Sequence, residues 1–391
     1  GPSCVTCHTA HAIHEPTSDE ERMAFPESCG HCHEESYHTF RDSFHGGATD
    51  LGFVTAAICS DCHTPHANLP VDDPRSSVHP DNVVATCGQC HERTPDGFAS
   101  FNPHSDPKDK NQSLPIYIVY LFMHLLLLSV VTFFLIHDTL WLQRSVVGLI
   151  RKEHEPWPIG SQTQRWIRRF DRKGRRLHLT VISTFLLLAL TGLPLKFHDT
   201  DWAKGLASFF GGVATTSFVH RVAALVTFGY FIFHLIDLVH RAMVKKEEGL
   251  FYGWSSMVPR PKDFIDLYNN LRYYLYMGPR PQFDRWTYWE KFDYFAVFWG
   301  VIIIGASGLI LWFPVFTTSF APLWILKVAE VIHLFEAWLA TLAILIFHFF
   351  YVFWHPEVYP FNFAMFHGGM REEHAEHEHP GWAEEEEPRE V

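Results

Sequence analysis

Residues Ile116–Ile136 read IYIVYLFMHLLLLSVVTFFLI, twenty-one positions without a charged side chain. A bilayer takes roughly 20 apolar helical residues to cross, so this run reads as a membrane span and divides the chain. On its C-terminal side four more apolar runs follow, at Leu177–Leu195, Phe218–Val239, Tyr294–Phe313 and Lys327–Trp354. On its N-terminal side, residues 1–114 carry 17 Asp and Glu against 6 Lys and Arg, a net of −11, and hold twelve of the 27 histidines. The whole chain, 391 residues with a formal charge of −12, has a mean hydropathy of −0.02. That average conceals an acidic half and an apolar half. The negative charge and the lack of any basic patch exclude a nucleic-acid partner.

All eight cysteines lie before residue 91, in four copies of one pattern: Cys4-Val-Thr-Cys7-His8, Cys29-Gly-His-Cys32-His33, Cys59-Ser-Asp-Cys62-His63 and Cys87-Gly-Gln-Cys90-His91. Neither a disulfide framework nor a zinc ribbon requires a histidine after every second cysteine. Cys-x-x-Cys-His is the attachment motif of c-type haem: two thioethers fix the porphyrin and the histidine sits beneath the iron as proximal ligand. The reading is a tetrahaem cytochrome c domain, mostly loops and short helices, over 1–114. Four c-haems, with His8, His33, His63 and His91 proximal, leave eight histidines in the module. His11 and His66 each follow a proximal histidine by three residues, a spacing unsuited to the far side of the same iron, so they are assigned to neighbouring haems. His14, His45, His79 and His104 complete the distal candidates. With spare ligands for every iron, six-coordinate electron-transfer haems are expected, not an open catalytic site.

Loop charge gives the orientation. Residues 144–176 contain ten Lys and Arg against three acids, which marks this loop as cytoplasmic. The haem-bearing segment then lies outside, where c-haem is attached. The expected division is a periplasmic module at 1–114, a connecting transmembrane helix at 115–143, the basic cytoplasmic loop at 144–176, a four-helix dihaem cytochrome b domain at 177–360, and a disordered acidic His/Glu-rich tail at 361–391. The protein expected from this division is a multi-pass one of the bacterial cytoplasmic membrane with a cytoplasmic C-terminus. A haem motif at Cys4 suits a mature or truncated chain.

Histidines inside spans are costly and point to function. His220 and His234 are 14 apart and His333 and His348 are 15 apart. At about 100° per residue both offsets return near one helical face, about 21–22 Å along the axis. Two such helices side by side offer ligands at two depths, enough for two b-haems.

Arg176-Leu-His178 followed by an apolar run to Leu190-Thr-Gly192-Leu193 resembles the first span of the cytochrome b subunits of formate dehydrogenases and nickel–iron hydrogenases. Val219-His220-Arg221 is similar to the start of their second span, Gly308-Leu-Ile-Leu-Trp312 to the third, and Ile332-His333 through His348 to the fourth. The resemblance covers about 165–360. It implies that His220 and His333 hold the outer b-haem and that His178 and His348 hold the inner one. The 15-residue spacing, where 14 is usual, departs from the pattern. So does His234, which lies at about the depth of His348 and is the alternative to His178. A third b-haem on His137 and His234 is a further alternative. The full architecture also resembles fused multihaem c and dihaem b membrane quinol dehydrogenases.

These resemblances imply a membrane electron-transfer protein between the quinone or menaquinone pool and periplasmic acceptors, in the sense of quinol oxidation: a quinol:cytochrome c-type oxidoreductase. The alternative is the electron-transfer anchor of a hydrogenase or formate dehydrogenase-type complex that reduces quinone. The partners expected are the lipid bilayer, quinone, and a periplasmic cytochrome or other redox subunit. A quinone carries two protons with its two electrons, so its site needs a titratable group. Glu336, one turn after His333, and Asp237, near His234, are the candidate proton relays.

Overall fold

The computed structural model describes residues 3–8, 18–91, 101–151, 166–356 and 358–383. The N-terminal segment is built of short helices: α1 (Cys4–Cys7), α2 (Asp19–Gly30), α3 (Glu34–Arg41), α4 (Phe44–Asp50), α5 (Cys59–Cys62) and α6 (Val83–Gly88). They are ended by local chemistry. Ser18 accepts from the Glu21 amide while the Glu21 carboxylate takes the Ser18 amide, a reciprocal cap that starts α2.

Five helices are long and apolar enough to cross a membrane: α7 (Leu114–Ile150), α8 (Arg172–Lys196), α10 (Val213–Met243), α12 (Tyr288–Trp312), and α14 (Trp324–Ala343), which continues to Trp354. In a mostly helical chain they fit an all-α transmembrane bundle. Their apolar side chains point outward more than inward, with Leu128 58%, Phe218 67% and Ile302 56% exposed. A water-soluble helix pair would bury these faces; lipid makes that unnecessary. Short α9 (Asp201–Phe209) precedes α10, and short α13 (Pro314–Thr318) precedes α14. Between α9 and α10, Gly211 and Gly212 take φ of +89° and +88°, a left-handed turn that glycine makes without strain.

The chain divides into two compact units. One comprises Gly1–Met123, Phe185–Leu225 and Ala306–Leu334; the other comprises His124–Thr184, Val226–Gly305 and Phe335–Val391. Each unit therefore owns one end of every long helix. In the first, Ala48, Ala56 and Val213 form a small core with Leu51 and Phe53 against it. In the second, Phe134, Trp141, Tyr274, Phe283, Trp289, Phe347 and Phe350 form a larger one. Tyr274 closes α11 (Pro261–Tyr274), a helix within the stretch between the third and fourth spans.

Two expected boundaries move. The first span does not stop at 143, since α7 runs to Ile150. Apolar residues continue past Trp141, and the Arg144 guanidinium stacks 4.5 Å from the Tyr273 ring centre and 4.9 Å from that of Tyr276, so its charge does not break the helix. The tail is also not disordered over 361–383. It forms α15 (Ala364–His367), β2 (Gly369–Arg371), α16 (Glu372–Glu378) and α17 (Pro380–Ala383). Strand β2 pairs antiparallel with β1 (Trp166–Arg168). Trp382 is fully buried beside Ile167, Met370 and Ala375, between the guanidinium groups of Arg169 and Arg285 at 5.2 and 5.1 Å. The acidic residues from 384 lie outside the described part.

This docking is pH-sensitive. Burial, reinforced by the charge of Arg169, holds His379 down at about 3, and burial holds His374 at about 4. The ordinary value in the unfolded chain is about 6.5. Both rings are therefore neutral when docked, and the unfolded tail binds more protons below pH 6.5. Stability falls as pH drops from 6.5 toward the depressed values, by about 2 kcal/mol per ring at pH 5. Hydrogen exchange of 366–383 should accelerate between about pH 7.5 and 5 beyond the intrinsic rate change; unchanged protection would refute the docked-neutral state.

Candidate haem-binding sites

Each Cys-x-x-Cys-His motif is a single helical turn closed by the same bond. The histidine amide donates to the first cysteine's carbonyl at 2.9 Å (His8 to Cys4), 2.9 Å (His33 to Cys29), 2.8 Å (His63 to Cys59) and 3.0 Å (His91 to Cys87). The turn fixes where both sulfurs and the imidazole stand relative to one another. No cysteine is in a disulfide. Among the described residues no three His, Cys, Asp or Glu side chains converge as a metal cage would need. The histidines instead meet in pairs.

Two imidazoles bonded to one metal through nitrogens at about 2.0–2.1 Å have ring centres roughly 6.3 Å apart. In the first unit, His8 and His66 have centres 6.3 Å apart, His45 and His91 6.2 Å, and His63 and His104 6.5 Å. Each pair joins a proximal histidine to a distant stretch of chain. His104 Nδ1 is 3.0 Å from Thr39 Oγ1 on α3, which leaves the other ring nitrogen for the partner. Of the remaining distal candidates, His79 bonds to Asp81 through Nδ1, and His11 and His14 lie outside the described residues. Among the described residues no second ring stands at this separation from His33.

The membrane helices repeat the arrangement. His220 on α10 and His333 on α14, both in the first unit, have ring centres 6.2 Å apart. Thr191 Oγ1 lies 2.9 Å from His220 Nδ1 and Ser307 Oγ 3.2 Å from His333 Nδ1. Bonds of this kind fix the tautomer and aim of a ligating imidazole. Glycines flank both rings: a β-carbon at Gly192 would come within 3.2 Å of His220 Cε1, and one at Gly308 within 3.0 Å of His333 Cε1. In the second unit His178 on α8 and His348 are again 6.2 Å apart. His348 Nδ1 is 2.9 Å from Asp293 Oδ2 and 2.8 Å from the Tyr351 hydroxyl. His348 ends a stretch, Ile344–His348, where the helix widens to π geometry, repeated at Phe350–Trp354. A π turn takes up one more residue than an α turn, which accounts for the spacing of 15 where 14 was usual.

No protein-family model matches the chain. The formate dehydrogenase cytochrome b556(fdo) subunit of Escherichia coli K12 is 22% identical over 214 residues, 55% of this chain and 90% of that subunit. The nitrate-inducible formate dehydrogenase cytochrome b556(Fdn) subunit is 22% identical in E. coli K12 and in Shigella flexneri, over 208 residues, 53% of this chain and 86% of theirs. The membrane-helical region is a cytochrome b-like segment, partially homologous to these subunits. This supports a membrane cytochrome b electron-transfer role with b-type haem.

Within the cytochrome b-like segment the other candidates separate. His234 Nε2 lies 2.7 Å from the Tyr294 hydroxyl, and its ring meets Tyr294 and Phe298. The His348 ring thus stands opposite His178, and His234 opposite a tyrosine. His137, fully buried, meets Asp138 at 3.2 Å and the Tyr288 hydroxyl at 2.5 Å. Asp237 is ion-paired with Lys173. Glu336 is buried with Oε2 lacking a partner. Sequence reasoning missed Thr191, Ser307 and Asp293, whose only signal is a hydroxyl or carboxylate on an apolar helix facing a histidine.

Proposed function

We propose that this chain passes electrons between the quinone pool and periplasmic acceptors, in the direction of quinol oxidation. Two b-haems are held by His220 with His333 and by His178 with His348, and four c-haems by the Cys-x-x-Cys-His turns. The single observation behind this is the recurrence of one imidazole-pair separation, 6.2–6.5 Å, at five places. When bound, haem iron supplies one-electron chemistry. The residues do the rest: the five ring pairs would ligate the iron at five of the six haems, and Thr191, Ser307 and Asp293 hold three of the membrane rings in register. Distal rings are assigned as His66 for His8, His45 for His91 and His104 for His63.

Quinol releases two protons with its electrons. Glu336 has the better profile for accepting one, being buried with a free oxygen, whereas Asp237 is committed to Lys173. The module's net charge of −11 suits a basic periplasmic cytochrome as acceptor. The homology favours a second reading, an anchor subunit that delivers electrons from a formate dehydrogenase-type or hydrogenase-type partner to quinone.

The test is purification of the native complex. Pyridine haemochrome analysis should give b:c of 2:4, and a quinol analogue should reduce b- and c-type absorbance together. Glu336→Gln should slow that reduction by a factor of about 10²–10⁴ at unchanged haem content. A protein with all six haems that dithionite reduces and quinol does not would overturn the quinol reading. Co-purification with an iron–sulfur subunit would move the assignment to the anchor.

A further inference from the structure

Resting on the haem assignments above, we infer that the c-haem held by His91 and His45 adjoins the membrane pair His220–His333, and that the seat of α4 on the end of α8 is the junction between the haem module and the helices. All of these residues belong to the first unit.

Helix α4 begins one residue before His45 and is stripped of side chains at Gly46 and Gly47, both buried. A β-carbon at Gly47 would lie 3.1 Å from the Leu195 carbonyl oxygen and 3.3 Å from His198 Cδ2. The α4 backbone therefore rests directly on the last turn of α8. Polar groups lock it there: Asp50 Oδ2 is 2.7 Å from His198 Nδ1 and takes two bonds from Arg41, at 2.9 and 2.7 Å, and Lys196 Nζ donates to Asp42 at 3.3 Å. Burial opposes ionisation of Asp50, but the His198 and Arg41 bonds outweigh it and hold the carboxyl below its ordinary value. From Leu195, three residues or about 4.5 Å of helix lead back to Gly192, which touches the His220 ring. The path from His45 to His220 is thus two residues of α4, one backbone contact, one helical turn and one ring contact.

A second route exists. Ala56 packs with Val213, and three residues on, Cys59 carries the His63 haem. Yet Val213 stands seven residues before His220, about 10 Å of α10, and ends in no ring contact at Val213 itself. The α4 route is shorter, and of its two glycines Gly47 is the one that meets α8, while Gly46 lets α4 fold back on the Phe40–Arg41 backbone at the end of α3. The exchange such a junction serves is one electron, lost by one iron and gained by the other, with no bond or proton moved.

Electron paramagnetic resonance of the complete, haem-loaded protein tests this through magnetic coupling, independent of turnover. The low-spin signal of the His220–His333 haem is identified by its loss in His333→Ala. Its spin relaxation should change in His45→Ala, which alters the spin state of the neighbouring iron, and stay as in the parent in His66→Ala and His104→Ala. Gly47→Leu, which must lift α4 off Leu195, should weaken the coupling while every axial ligand remains; it also serves if His45→Ala does not assemble. A change in His104→Ala with none in His45→Ala or Gly47→Leu would overturn the assignment in favour of the Val213 route. Absence of b- or c-haem from the parent protein would instead strike the reading on which this rests.

Discussion

Replacement of His348 by alanine is expected to remove one of the two b-haems and leave the other. A b-haem has no covalent tether, so its retention depends on two axial bonds and the shape of the pocket. His348 is the better-supported ring of its pair, with Asp293 at 2.9 Å and Tyr351 at 2.8 Å on its Nδ1; its partner His178 has a buried Nδ1 with no partner. The b:c ratio should fall from 2:4 to 1:4 in His348→Ala and in His178→Ala, and likewise, through the other site, in His220→Ala and His333→Ala. His333→Ala combined with His348→Ala should retain c-haem only. Asp293→Asn keeps a bond to Nδ1 but lowers ligand basicity, and should cost 10–100-fold in haem retention at that site. The decisive contrast is His234→Ala, which should keep both b-haems because that ring belongs to Tyr294. If His234→Ala loses a haem and His178→Ala does not, the pairing is wrong.

What the sequence made legible follows from the range of the interactions. Spans and attachment motifs are local: an uncharged run of twenty residues or a five-residue turn is complete in itself. The ligating rings of the membrane part could be nominated because a helix repeats its face at a fixed interval. The proposed choice of His178 over His234 could not, since it rests on where His234 finds its partner, Tyr294, sixty residues away on α12. The same holds for the extra residue between His333 and His348, because π widening depends on which carbonyl each amide finds and leaves no compositional mark. The tail misled through averaging. Nine glutamates after Arg371 set its composition, while Trp382, Met370 and His379 set its structure.

The proposed distal c ligands were the least legible. His8 and His66 are 58 residues apart, His45 and His91 46, and His63 and His104 41; no local pattern encodes such closures, only the folded separation of their rings does. A consequence sets these haems apart from those in the membrane. A c-haem stays attached through two thioethers whatever happens at its far side. His66→Ala, His45→Ala and His104→Ala should each retain four c-haems per chain and convert one of them from low to high spin, visible as an axial resonance and a charge-transfer band. The three should be additive, since each ring serves a different iron. His79→Ala should leave these three haems low-spin, since each has its second ring elsewhere. Conversion of one of these three haems in His79→Ala, or its absence in any of the three variants, would break the pairing at that haem while leaving the other two standing. The opened position would also admit small ligands such as carbon monoxide, so a gain of one ligand-binding haem over the parent gives a second measure of the same count.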